Sequence, residues 1–360
     1  MRGSSDVAVI DAIKPRKIEH RMFGRDWKET IEMLVDCAGA RIGGAKRLLN
    51  EFDSYVRDRS ISNLRVVGRD RRLTAPWIAR REYQRQRFEC AVALNNVGFT
   101  IAGCERRVLM HGAQHFLWPE EAQNLGWRIS PAVHVQAQVV RTAALRSHRI
   151  FVPSTSMAER VASALPSTAD RITVTYNPVT VPDMATTPRR RFGSPHILCP
   201  VIITPRKMMT ARLRAALAAL DLLAASPEQI DVTLLVTARV GTLEDPLLSG
   251  HPRLALIGER SAEGITDLML RCDAIYFPTE LESFGYPLAE GRMMGVPVVA
   301  RRSAHNIEIA GPALVGYDRE CPEDIAAALH TALTTKFSPD QTKKFDRNSY
   351  FDQLLGVSRN

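Results

Sequence analysis

Aromatic side chains are scarce, at 6% of the sequence, which argues against an all-β binding module and against a stacking platform for single-stranded nucleic acid. Closely spaced cysteines are missing too. Cys37, Cys90, Cys104, Cys199, Cys272 and Cys321 stand far apart with no C-x-x-C among them, so free thiols in a reducing compartment are expected and a metal site is not. There is no long apolar run either: the most apolar helical stretch, Ala215 to Ala225, is interrupted by Asp221 and is too short to span a bilayer. The opening MRGSSDVAVIDAIKPRK has no signal-peptide centre. The expectation is a cytoplasmic protein, peripheral on the inner face of a membrane at most.

Length and positive charge are what the sequence does have. At 360 residues, 45% of them hydrophobic, the chain is too long for one ordinary core and fits two domains. Its 48 basic and 39 acidic residues leave a net charge of +9. This favours an anionic partner: a phosphate-bearing small molecule, a membrane surface or nucleic acid. The arginine clusters at Arg69 to Arg72, Arg80 to Arg87 and Arg189 to Arg191 read as solvated faces or loops. The second, preceded by Pro76 and Trp77, also fits a basic amphipathic helix lying on anionic lipid.

Taken in order, residues 1 to about 30 carry no strong pattern and fit an extension. Ile31 to Cys37 is the first clear strand, followed by AGARIGGAKRLLNEF, a glycine-bearing loop running into a helix with Leu48, Leu49 and Phe52 inward. Gly43 and Gly44 would let a ligand approach the backbone. Leu64 to Gly68, Phe88 to Leu94, Arg107 to Met110 and Arg149 to Pro153 read as further strands, the last leading into a helix capped by Ser154 or Ser156. His111 ends its strand where a side chain faces the cleft of an open α/β sheet, with His115 as a minor candidate. After Arg171 to Tyr176, the Pro-, Thr- and Arg-rich stretch that includes residues 181–195 reads as a linker. Beyond it, His196 to Ile203, Val232 to Val240 and Arg253 to Ile257 are strands, Ser261 to Leu270 is a helix, and Pro322 starts the last amphipathic helix.

The most informative stretch is Pro278 to Ala300, PTELESFGYPLAEGRMMGVPVVA. It reads as a strand end, a turn-like segment, a short helix entered at Pro287 and closed by Gly295, and a second strand. Glu282 lies in the loop and Glu290 about one turn inside the helix, flanking an N-terminus whose free N–H groups and dipole favour phosphate. Two carboxylates so spaced are, by themselves, most often a solvated pair. The whole string is far more specific. It resembles the donor-site signature of retaining GT-B family 4 (group 1) glycosyltransferases, E-G-F-G-x-P-x-x-E-A-M-A-x-G-x-P-V-V-A, keeping Glu282, Phe284, Gly285, Pro287, Glu290, Met293, Gly295, Pro297 and Val298 to Ala300; Ser283 and Gly291 depart from it.

That resemblance implies an α/β protein of GT-B fold, with two Rossmann-like domains whose parallel sheets face each other across a cleft. Residues 1–180 would form the acceptor-side domain, 181–195 the linker, 196–340 the donor domain, and 341–360 a terminal helix returning to the first domain. It further implies retaining transfer of a sugar from a nucleotide sugar to a sugar, lipid-linked or polysaccharide acceptor. No metal or other cofactor and no nucleic acid are expected. Catalytic roles would fall to Glu282, His111 and Lys207. Donor binding would fall to Glu290, Phe284, Gly285, Tyr286, Arg206 and Gly44, with Arg47 at the arginine position of the family's GG-x-x-R. In the family's V-G-R-L-x-x-x-K-G, Lys207 falls on the lysine, but Val201 and Ile202 stand at the glycine and arginine. A non-catalytic relative acting as a scaffold subunit is therefore the alternative.

Overall fold

Short apolar runs bounded by loops become strands, and every pairing between them is parallel. The computed structural model describes residues 33–40, 43–83, 88–124, 131–201, 209–243, 245, 248 and 250–357. The strands β1 (Met33–Asp36), β2 (Leu64–Val67), β3 (Cys90–Ala93), β4 (Glu105–Leu109), β5 (Arg149–Val152) and β6 (Ile172–Val174) form one sheet in the order β2-β1-β3-β4-β5-β6. The strands β7 (His196–Cys199), β8 (Thr233–Val236), β9 (Leu254–Leu256), β10 (Ala274–Phe277), β11 (Val298–Arg301) and β12 (Leu314–Tyr317) form the other, ordered β12-β11-β10-β7-β8-β9. Strands such as β3 and β10 are buried along their whole length, as parallel strands covered by helices on both faces must be.

The helices of the first half are α1 (Gly43–Asp58), α2 (Ala75–Glu82), α3 (Pro119–Asn124), α4 (Pro131–Arg146) and α5 (Thr155–Ala164). Those of the second are α6 (Met209–Ala224), α7 (Ala262–Arg271), α8 (Tyr286–Met294), α9 (Ala304–Ala310), α10 (Pro322–Thr334) and α11 (Arg347–Leu355). Their ends follow local chemistry. Ser154 caps α5 and Ser261 caps α7, Pro322 opens α10, and Gly295 ends α8 with φ 65°, a left-handed cap. None of the helices among the described residues is long and apolar enough to cross a membrane.

Strand order reverses once in each sheet, where β1 lies beside β3 and where β7 lies beside β10. Ligands of open α/β sheets sit outside the carboxyl ends of the strands at such a reversal. In the second sheet that edge is formed by the residues after Cys199 and after Phe277. It is the second of these that carries Glu282 and leads into Glu290.

The chain's end returns to the first sheet. Tyr350, Phe351, Leu354 and Leu355 of α11 are buried in one cluster with Val35, Leu48, Phe52 and Tyr55, each contributing roughly 1.5–3 kcal/mol of burial. The Tyr55 hydroxyl donates to Asp352 at 2.7 Å and Arg107 to the Leu354 carbonyl at 3.0 Å.

Two expectations need correction. Strand β7 stops at Cys199 rather than Ile203, because Pro200 has no N–H for the ladder. The cluster read as a solvated face, or as a helix lying on lipid, is solvated only in part: Arg80 is exposed, but Arg81 is fully enclosed and pairs with the equally buried Asp36, and the Trp77 indole N–H donates to the same carboxylate at 3.2 Å. Arg81 belongs to the interior of the first sheet's carboxyl edge.

Candidate functional site

The loop from Pro278 to Gly285 is held by side chains from both halves. Arg212 of α6 donates to the Pro278 carbonyl and pairs with Glu280 at 2.9 Å. His305 of α9 sets its Nε2 3.1 Å from the Phe284 carbonyl, donating to it. From the first half, the Ser154 hydroxyl donates to the Ser283 carbonyl at 2.8 Å. Glu282 is half-buried within this frame, and its charge partly offsets the burial that holds His305 below its ordinary value.

Gly285 then turns the chain into α8 at φ 79°. A Cβ there would meet Leu288 at 2.9 Å and Phe277 at 3.3 Å, so both the left-handed backbone and the space require glycine. Phe284 is buried edge-to-face against Tyr286 and Phe345, at centroid distances of 5.2 and 5.7 Å. Its role is therefore to fix the loop from below.

Glu290 is enclosed, 4% exposed, and does not face the cleft alone. Arg47 of α1 reaches across from the first half and donates to its Oε1. The same guanidinium lies 3.4 Å from the Ala262 carbonyl and 5.4 Å from the Tyr286 ring centroid. Burial pushes the Glu290 carboxyl above its ordinary value while Arg47 pulls it back. Its Oε2 and the Tyr286 hydroxyl are both buried with no hydrogen-bond partner among the described residues. Arg47, Tyr286 and Glu290 line a cleft of about 430 Å³, together with Glu51, Thr180 and Thr266. Gly44 lies in the first turn of α1, where an added Cβ would come 3.3 Å from the Tyr286 ring.

The histidines occupy the first sheet's edge. His111, just beyond β4, donates its backbone N–H to the Asn96 side chain at 2.7 Å. Burial lowers it to about 4, with a further contribution from His115; His115, almost fully buried, is likewise lowered to about 4 by burial and by Arg141. Both are neutral at neutral pH. Lys207 and Arg206, together with Ile202, lie outside the described residues.

Sequence reasoning missed His305, Arg212 and the pairing partner of Glu290. It also missed Glu308 as a tie between the halves: its carboxylate accepts from the Thr155 hydroxyl at 2.6 Å and from the Tyr176 hydroxyl at 2.7 Å. Position in the family pattern picks out Arg47 but assigns it no contact.

No protein-family model matches the sequence, and no curated protein does. Solved structures do match in shape. WaaG, a glycosyltransferase involved in lipopolysaccharide biosynthesis, superposes with a TM-score of 0.62 over 91% of this chain and 95% of its own, at 15% identity. The fold is GT-B. The sucrose-phosphate synthase of Thermosynechococcus elongatus gives 0.57 over 91% and 94% of the two chains at 12% identity. The UDP-GlcNAc 2-epimerase of Methanocaldococcus jannaschii gives 0.51 over 91% and 98% at 9% identity. A GT-B chain at such identities shares a fold with transferases and an epimerase alike, so the chemistry must be argued from the site.

Proposed function

We propose that this chain is a glycosyltransferase that moves a sugar from a nucleotide-sugar donor to an acceptor hydroxyl with retention of configuration and without a metal. The observation that carries the reading is Glu290: a buried carboxylate beside an anion-favouring helix start and lining the cleft, with one oxygen satisfied by Arg47 and the other without a hydrogen-bond partner among the described residues. A ribose hydroxyl is a suitable donor to that oxygen. The diphosphate would lie on the N–H groups at the start of α8, into which Gly285 turns the chain. Lys207, with Arg206 beside it, supplies the cation that stabilises the leaving group. Glu282 holds the donor sugar, and neutral His111 positions its far side by hydrogen bonding.

In the transfer itself the bond from the anomeric carbon to the diphosphate breaks. The acceptor oxygen bonds to that carbon on the same face, and the acceptor proton passes to the departing phosphate oxygen. No side-chain base is needed. The net charge of +9 fits a lipid-linked or polysaccharide acceptor near an anionic surface.

Donor hydrolysis and transfer assays test the reading: Glu290→Ala should raise the donor KM, and Glu282→Ala should mainly lower kcat. Wild-type kinetics in both variants would remove it. Ile202, at the position of the family's phosphate-binding arginine, favours a second reading, a non-catalytic scaffold of the same fold. Calorimetry against nucleotides and nucleotide sugars separates the two, because a scaffold without the phosphate grip binds none.

A further inference from the structure

The Arg47–Glu290 contact joins helices from the two halves and leaves the carboxylate half used. Arg47 makes three contacts at once: with Glu290 Oε1, with the Ala262 carbonyl and with the Tyr286 ring. A planar guanidinium held by three contacts has little freedom to rotate. The carboxylate it grips is thereby fixed as well, with Oε2 left buried and without a partner among the described residues. Such an atom is costly unless a ligand or water donates to it, and Glu290 lines the cleft that would bring one.

Resting on the nucleotide-sugar reading above, we propose that Arg47 is a positioning residue for ribose. By anchoring Oε1 it presents Oε2 to the ribose hydroxyls, so that discrimination between ribo- and deoxyribonucleotides depends on a residue from the opposite half of the molecule. Without Arg47 the carboxyl would lose the one charge among the described residues that offsets its burial and could turn away from the sugar. Any opening that carries α1 away from α8 would also withdraw the ribose grip. Nucleotide release and cleft opening then become one event.

The test compares binding of UDP, GDP, ADP and CDP with that of their 2′-deoxy counterparts, by calorimetry, to the full chain and to Arg47→Gln and Arg47→Lys. The wild type should prefer the ribose form of its best nucleotide by about 10-fold or more, the scale of a hydrogen bond to a charged group. In Arg47→Gln the preference should fall below about 3-fold, with Arg47→Lys between, because lysine keeps the charge but not the fork. Thermal unfolding identifies folded variants, and Arg47→Lys carries the test if Arg47→Gln does not fold. Undiminished ribose preference in a folded variant would overturn the role of Arg47 and leave the nucleotide site standing. No binding of any nucleotide by the wild type would instead remove the site, and this inference with it.

Discussion

Replacing Arg81 by Met tests how the edge of the first sheet is held. The guanidinium and its partner Asp36 are both fully buried. Arg81 also donates to the carbonyls of Val97 at 2.6 Å and Gly98 at 2.9 Å, and it lies 4.5 Å from the Phe99 ring centroid. Methionine fills much of the same space without the charge. Asp36 would keep Asn95 at 3.0 Å, Trp77 at 3.2 Å and the Ala38 N–H at 3.0 Å, but no counterion among these. Removing one partner of a buried pair costs about 3–5 kcal/mol, and each stranded carbonyl adds roughly 1–3 kcal/mol before relaxation. We therefore expect a loss of about 4 kcal/mol or more. Removing both charges strands none, so Asp36→Leu combined with Arg81→Met should recover about 1–3 kcal/mol relative to Arg81→Met alone. Because the two sheets need not unfold together, the appropriate assay is hydrogen exchange of the β1 and β3 amides, which reads local stability. A single variant within about 1 kcal/mol of the parent, or a double variant less stable than the single, would refute the reasoning. The consequence reaches the site, since the loop held by Arg81 includes Asn96, the acceptor for the His111 N–H.

Three further outcomes are expected. His115, held near pKa 4 in the folded state against about 6.5 when unfolded, binds fewer protons folded than unfolded across that window. Stability should thus fall as pH drops from about 6.5 toward 4, by up to about 1.4 kcal/mol per unit for this group. His115→Gln should flatten the profile of urea midpoint against pH by that slope. Phe351→Ala, emptying a fully buried site between α11 and α1, should cost about 3–5 kcal/mol in urea unfolding, and a cost under about 1 kcal/mol would mean that α11 is only loosely docked. Gly291→Ala should destabilise by about 1–2 kcal/mol in the same assay, because the added Cβ would sit 2.4 Å from Val298 and 3.0 Å from the Val296 carbonyl. Overpacking of that kind exceeds the roughly 0.5–1 kcal/mol that alanine gains in a helix.

What the sequence makes legible is local, and what it hides is tertiary. Gly285, Pro287 and Gly295 are readable because each residue type answers a backbone requirement at its own position: a left-handed turn, a fixed φ, a helix end. The four-residue apolar runs announce strands for the same reason. Arg81 looks like Arg80 in RREYQRQR, because its partner Asp36 lies 45 residues away, and no spacing rule reaches that far. Arg47 and Glu290 are 243 residues apart; the family pattern marks both without implying that they touch. Gly291 shows the converse. Read against the pattern it is a lost alanine, yet β11 leaves no room for the methyl group, so a departure in one element is matched by packing in the next. Ile202 is a departure of a different kind. It removes a charge, and a neighbour's shape cannot restore a charge, so compensation there has to come from another cation, which is why the phosphate grip decides between a transferase and a scaffold.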